Sequence, residues 1–227
     1  MPVLAFGQEE PLLEKDSLEV PEVPAAAGDV EVPEDSTFDL RPQGLRIGVD
    51  VSHLVGQLVD QDGRFYELKA DVIFGRYLLS ADWGTGRRYR SEDGLDYRSS
   101  GSYFRIGPDV NFVADNDDLN ALFIGLRYGQ SFYEERLVTS FSDPTWGSFP
   151  VTPERQTSAF WFEGVAGLKA RIWKGLFMGY TLRYKFGLNV QEQNSFISYE
   201  VPGFGKVGDG ANFSFSYHLS YLIPLGF

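Results

Sequence analysis

Ala-Asn-Phe-Ser-Phe-Ser-Tyr-His-Leu-Ser-Tyr-Leu-Ile-Pro-Leu-Gly-Phe occupies positions Ala211 to Phe227. Phe213, Phe215, Tyr217, Leu219, Tyr221, Ile223, Leu225 and Phe227 fall on alternate positions, and all are large and apolar or aromatic. Asn212, Ser214, Ser216, His218 and Ser220 lie between them and are polar. A period of two sends successive side chains to opposite faces of a β-strand, so this strand has one oily face and one polar face.

The same alternation recurs upstream. Leu45, Ile47, Val49, Val51, His53 and Val55 alternate with Arg46, Gly48, Asp50 and Ser52. Tyr66, Leu68, Ala70, Val72 and Phe74 oppose Glu67, Lys69 and Asp71. Gly75-Arg76 has the glycine-first chemistry of a type II′ hairpin turn, and Tyr77, Leu79, Ala81 and Trp83 follow it against Ser80 and Asp82. A fourth strand, about Asp96 to Val113, sets Phe104, Ile106, Val110 and Phe112 against Tyr103, Arg105 and Asp109. Leu122, Ile124, Leu126 and Tyr128 oppose Phe123 and Arg127; Phe160, Phe162 and Leu168 oppose Trp161, Glu163 and Lys169; Met178, Tyr180, Leu182 and Tyr184 oppose Arg183 and Lys185. Ser140 to Gln156 and Gln191 to Gly210 read as two long polar loops.

The result is eight strands of roughly 10 to 17 residues, against about 5 or 6 in a soluble sheet and about 9 to 11 for one that crosses a bilayer. Connections at Gly75-Arg76, Ala114 to Leu119 and Lys174-Gly175 are short, and the others include the two longest. Short turns at one end and long loops at the other, with an even strand number, are the outer-membrane pattern and put both termini in the periplasm. The expected fold is all-β: an eight-stranded antiparallel up-and-down transmembrane β-barrel over residues 45–227. Periodicity alone leaves open whether the oily face meets lipid or a soluble core. Strand length, loop asymmetry and aromatics bunched near strand ends favour lipid.

Composition agrees. No run of about 18 apolar residues exists, so a membrane role needs a closed barrel. The absence of cysteine excludes disulfides and thiol chemistry. The net charge of −12 is unevenly placed, with eleven acids against Lys15 alone between Gln8 and Leu40. Pro11, Pro21, Pro24 and Pro33 interrupt that run, so residues 8–44 read as a disordered, acidic periplasmic extension. It is a solvated spacer or a docking segment for a periplasmic partner. Met1 to Gly7 resembles the tail of a secretory signal with a small-x-small cleavage site.

With the oily face outward, the polar face forms the interior, where Arg46, Asp50, Lys69, Asp82, Arg105, Asp109, Arg127, Glu163, Lys185 and His218 are expected to form a network. Eight strands leave an interior just wide enough for side chains, so these charges plus Tyr103, Phe123 and Trp161 should plug it. Register gives two further expectations. A two-residue turn at Gly75-Arg76 places Lys69 opposite Asp82. At Lys174-Gly175 parity requires a three-residue loop or a bulge, with Glu163 opposite Lys185. No metal spacing, phosphate loop or nucleophile elbow occurs, so no catalytic residue, metal or cofactor is assigned. His53 is expected on the oily face near a strand end.

Gly-Leu-Arg-Ile-Gly-Val-Asp-Val-Ser (44–52), Phe-Ile-Gly-Leu-Arg-Tyr-Gly (123–129), Ala-Gly-Leu-Lys-Ala (166–170), Val-Pro-Gly-Phe-Gly-Lys-Val (201–207) and Ser-Tyr-Leu-Ile-Pro-Leu (220–225) resemble an outer-membrane barrel family of Bacteroidota described as domain of unknown function 6048. The resemblance covers about Gly44 to Phe227 and implies fold and location, with no catalytic residues. The expectation for function is a non-enzymatic outer-membrane protein of a Gram-negative cell, acting as a structural or accessory envelope subunit. A lipid-modifying enzyme using His218 and a narrow pore are the alternatives. Expected partners are outer-membrane lipid, the barrel-assembly machinery, which would recognise Phe227, and a periplasmic or outer-membrane protein, with no nucleic acid.

Overall fold

The computed structural model describes residues 41–53, 56, 62–92, 95–114, 117–143, 147–151, 154–191, 198–208 and 212–225. The elements are β1 (Gly44–Asp50), β2 (Gly63–Phe74), β3 (Tyr77–Glu92), β4 (Leu95–Asn111), β5 (Ala121–Asp143), β6 (Gly147–Val151), β7 (Glu154–Trp173), β8 (Leu176–Val190), β9 (Glu200–Val201), β10 (Gly205–Lys206) and β11 (Asn212–Pro224). Eight of these form an antiparallel up-and-down sheet in the order β1-β2-β3-β4-β5-β7-β8-β11, and β11 pairs back onto β1. The hydrogen bonds therefore run in a ring. The residues expected as signal remnant and acidic extension, apart from 41–44, lie outside the described part, as does Phe227.

Turn chemistry sets the registers. Gly75 sits at φ 56° and its partner in the turn does not, the type II′ pattern. Phe74 consequently faces Tyr77, and Lys69 faces Asp82. At the β7–β8 connection Trp173 faces Leu176, which leaves two residues in the turn. Their parity would set polar against oily positions. A bulge between Arg171 and Trp173 absorbs the mismatch and brings Glu163 opposite Lys185.

Three sequence expectations need correction. β1 stops at Asp50 instead of continuing to Val55, because Asp50 Oδ1 accepts from the backbone N–H of Ser52 (2.9 Å) and of His53 (3.4 Å). The carboxylate thus caps a helical turn over 51–53. His53 is accordingly not on the oily face: it is half-buried and packs edge-on against the Phe65 ring, with centroids 5.7 Å apart. The expected Ser140–Gln156 loop is largely strand, since β5 runs on to Asp143, folds back as β6, and β7 begins at Glu154. Beyond Phe132 the outer positions Glu134 and Arg136 are charged, so the polarity contrast that marks a strand fades there. The second long loop holds the β9–β10 hairpin, with Gly203 and Gly205 at φ 84° and 104° and Phe204 buried between them.

The burial pattern is inverted with respect to a water-soluble sheet. Leu68, Trp83, Leu122, Ile124, Leu126, Leu168, Met178, Phe215 and Tyr221 are about half exposed or more, while the alternate, charged positions are buried. Outer aromatics join into a belt across five strands: Phe104, Tyr128, Phe162, Phe186, Tyr184 and Phe213 make successive ring contacts. Two apolar clusters lie on the inner face. One, of Ile73, Leu78, Ala121, Phe123, Val165, Phe177 and Leu222, sits at the short-turn end. The other, of Tyr103, Tyr133, Ala159, Trp161, Val201 and Phe204, lies towards the long-loop end, where the β9–β10 hairpin packs in. No helix among the described residues is long and apolar enough to cross a membrane.

Candidate functional site

Between the two apolar clusters the inner face is a stack of buried ion pairs. Nearest the short-turn end, Asp71 accepts from Arg46 Nε and Lys169 Nζ, both at 2.6 Å. Arg46 stands over the Phe177 ring at 5.3 Å and Lys169 over Phe123 at 4.9 Å, so each cation also borrows an aromatic face. Asp109 accepts from Ser80 Oγ at 2.6 Å and from Arg127 Nη2 at 2.9 Å.

Asp82 is the hub of the next layer. Arg127 Nη1 donates to it at 2.9 Å, and Arg105 Nε, Lys69 Nζ and Arg183 Nη2 lie at 3.3, 3.4 and 3.5 Å. Glu67 is held by Arg105, by Lys69 at 2.6 Å and by the Tyr103 hydroxyl at 2.6 Å. Glu163 accepts from Trp161 Nε1 at 2.7 Å, with Arg105 and Arg183 each 3.6 Å away. Burying a charge costs several kcal/mol unless it is paired and hydrogen-bonded, and here each carboxylate of the layer has at least two cations near it. Small residues make room for the rings. A Cβ at Gly129 would overlap the Trp161 indole, and one at Gly179 would overlap the His218 imidazole.

At the long-loop end a second network lies above the apolar band, at the level where the outer face carries Arg98, Glu134 and Arg136. Arg155 donates to Glu135 at 2.8 and 3.0 Å and to Ser198 Oγ at 2.7 Å. The Tyr97 hydroxyl donates to Glu135, and the Tyr133 hydroxyl lies 2.9 Å from Ser198 Oγ. Burial, then the bond to the Glu135 carboxylate, holds the Tyr97 phenol well above the usual tyrosine range. Burial pushes the Tyr133 phenol up to about 12.

All ten residues expected in the interior are buried, but they are not one network. Arg46, Lys69, Asp82, Arg105, Asp109, Arg127 and Glu163 belong to the ion pairs above. Lys185 faces Glu163 in the register and donates to the carbonyls of Gly203 and Phe204 at 2.8 and 2.9 Å, anchoring the hairpin. Asp50 caps the 51–53 turn. Neither ring nitrogen of His218 has a hydrogen-bond partner among the described residues. Alternation does not reveal the Tyr97–Glu135–Arg155–Ser198 group, because Arg155 and Ser198 fall in the two stretches that read as polar loops. Nor does it reveal that Asp50, His53 and Glu67 offer ligating atoms within 4.8 Å of one another. Such a set could hold a divalent cation in principle, but Glu67 is already committed to Lys69, Arg105 and Tyr103.

The family model described as Domain of unknown function (DUF6048) matches residues 4–226. The match runs through the acidic segment, which the resemblance read from the motifs leaves out. No curated protein matches the sequence.

Proposed function

We propose, for a chain that belongs to the DUF6048 family, an integral outer-membrane β-barrel protein whose polar interior is plugged. In this reading it is not an enzyme. It is a structural or accessory subunit of the envelope of a Gram-negative cell, of the Bacteroidota type, that engages other envelope proteins through its long loops and its acidic tail in the periplasm. The observation that carries the reading is the inversion of polarity around a closed ring of hydrogen bonds. Only a solvent as apolar as lipid makes an exposed belt of Leu, Ile and aromatics stable while ion pairs fill the inside. Layered ion pairs capped by apolar clusters argue against free passage of solutes. The family match through the acidic segment supports a role for the tail beyond spacing.

Fractionation of cells expressing the full chain tests location: it should co-sediment with outer membrane and show heat-modifiable mobility on gels. Recovery in the soluble fraction would overturn the reading. Photo-crosslinking from positions within residues 8–40 in native membranes should then capture a periplasmic or outer-membrane protein.

One observation favours a second reading, a lipid-modifying enzyme. His218 faces Asp50 in the β1–β11 register and lines the foot of an apolar groove of 510 Å³ on the outer face. His218→Ala should change lipid A or phospholipid profiles if that reading holds, and leave them unchanged if it does not.

A further inference from the structure

The outer wall is not the same all the way round at its long-loop end. On β2 to β5 the apolar positions give way to arginine. Tyr66 faces Thr85 across β2 and β3, and one outer rung further on Arg64 faces Arg87. Across β4 and β5 Arg98 faces Arg136. Arg87 faces Ser100, which makes Arg98 its diagonal neighbour on the same face. All four arginines are exposed. Directly opposite residues have Cβ atoms about 5 Å apart and diagonal ones about 7–8 Å. The four cations therefore form one continuous stripe along the rim of the apolar band. The other flank has no counterpart. Beyond Phe160 the outer positions of β7 are Ser158, Gln156 and Glu154, and no described outer position of β8 or β11 carries a cation.

Left to itself the stripe is unfavourable. Like charges directly opposite each other destabilise a sheet, and this wall opposes them twice. Among the described residues none of the four guanidiniums has an ion pair or a hydrogen bond. The acids around them are engaged with other groups. Asp96 accepts from the Tyr89 hydroxyl at 3.2 Å. Glu154 faces Arg136 across the β5–β7 rung, yet its carboxyl is hydrogen-bonded to that of Glu134. Asp62 borders a polar hollow with Arg90 and Lys206. A guanidinium takes a phosphate in a two-point geometry, and arginines side by side can share the oxygens of one or more such groups.

We propose that Arg64, Arg87, Arg98 and Arg136 dock the headgroup phosphates of anionic lipids in the leaflet at the long-loop end. The acyl chains lie against Leu68, Trp83, Phe104 and Ile106 beneath, which are exposed on the same strands. Charge complementarity above and an apolar wall below together select a lipid, since a soluble polyanion would use the arginines alone. The stripe rests on the membrane reading above, because in a bilayer the rim of the apolar band is the level of the headgroups. It adds to that reading a lipid class and a flank of the protein.

The chain has no cysteine, so one introduced cysteine labelled with bimane reports on one place. The test sets the full chain in nanodiscs of phosphatidylcholine. These contain a minor fraction of nitroxide-labelled phosphatidic acid or, in parallel, of phosphatidylcholine with the nitroxide at the same acyl carbon. Bimane at Thr85→Cys, one outer position below Arg87, should be quenched with an apparent affinity about tenfold higher for the phosphatidic acid, the scale of one charge-assisted hydrogen bond. Bimane at Ser158→Cys, on the rim of β7, should be quenched equally by the two lipids. Arg64→Gln combined with Arg87→Gln should make the two lipids equal at Thr85→Cys as well. Both substitutions lie on the outer face, away from the buried ion pairs, and heat-modifiable mobility on gels checks that the variant still folds. Equal quenching with the arginines in place, a preference that survives the double substitution, or the same preference at Ser158→Cys overturns the stripe and leaves the membrane reading standing. No quenching at either position by either lipid overturns both.

Discussion

Two adjacent rungs of the β2–β3 ladder hold opposite chemistry. Lys69 and Asp82 face each other on the inner wall, 7% and 4% exposed; one step along, Leu68 and Trp83 face each other on the outer wall, 51% and 53% exposed. The backbone is the same and the residues are sequence neighbours, so strand propensity cannot explain the contrast. What differs is burial: one wall faces the inside of the ring and the other its outside. The inner wall solves the problem of buried charge by supplying partners. The outer wall presents many half-exposed apolar side chains, which in the proposed reading face lipid.

The largest expected effect breaks the inner wall. Asp82→Leu removes the acceptor shared by Lys69, Arg105, Arg127 and Arg183 and leaves these four buried cations with only Glu67, Asp109 and Glu163 as counter-charges. It should destabilise the protein by about 3–5 kcal/mol, read as a lower urea midpoint in lipid vesicles. The matching change on the outer wall is Leu126→Arg, at the most exposed large hydrophobic among the described side chains of β5 (66%). In a bilayer it should cost about 2–4 kcal/mol. Facing water, the same change would stay within about 0.5 kcal/mol. A negligible effect in vesicles would remove the lipid from the argument.

A smaller effect sharpens the contrast with one atom. The Tyr103 hydroxyl donates to Glu67 at 2.6 Å on the inner wall, whereas that of Tyr128 on the outer wall reaches only Gln130 Oε1, at 3.3 Å. Tyr103→Phe should cost about 1.5–3 kcal/mol, the range for a hydrogen bond to a charged group, and Tyr128→Phe about 0.5 kcal/mol or less. Equal costs in the same unfolding assay would mean that the two walls differ less than their burial suggests.

Much of this was legible in the sequence, because a period of two is a strong signal wherever the two faces differ in polarity. Strand number, the antiparallel order, the Lys69–Asp82 and Glu163–Lys185 rungs and the buried ring at Trp161 all follow from alternation plus turn length. The signal failed where both faces are polar. Ser140 to Gln156 alternates nothing a hydropathy rule can see, so the pattern predicts loop for the end of β5 and the start of β7. It failed again at Asp50, where apolar residues keep alternating for a few positions although a carboxylate has already capped a helical turn. The short β1 depends on that cap. Partners distant in sequence, such as Tyr97 with Glu135 or Lys185 with Phe204 O, depend on the folded long-loop end and have no local pattern.

A last expected effect separates the two ends of the inner wall by pH. Tyr97 and Tyr133 sit above the apolar band, and both phenols are held protonated, chiefly by burial. A phenol whose folded pKa is raised stabilises the fold fully below its ordinary value of 10.0. That contribution is lost as pH rises, because the unfolded chain ionises first and the folded one must follow. For Tyr133 the window runs from 10.0 to about 12; for Tyr97 it begins at the same point. The protein should therefore lose stability across that range in steps that track tyrosinate absorbance. Tyr97→Phe should flatten part of the loss while leaving unfolding at neutral pH two-state. If loosening at high pH began instead in the Asp71 layer at the short-turn end, seen as earlier hydrogen exchange of β1 and β7 than of β4, the long-loop network would not be the alkaline weak point.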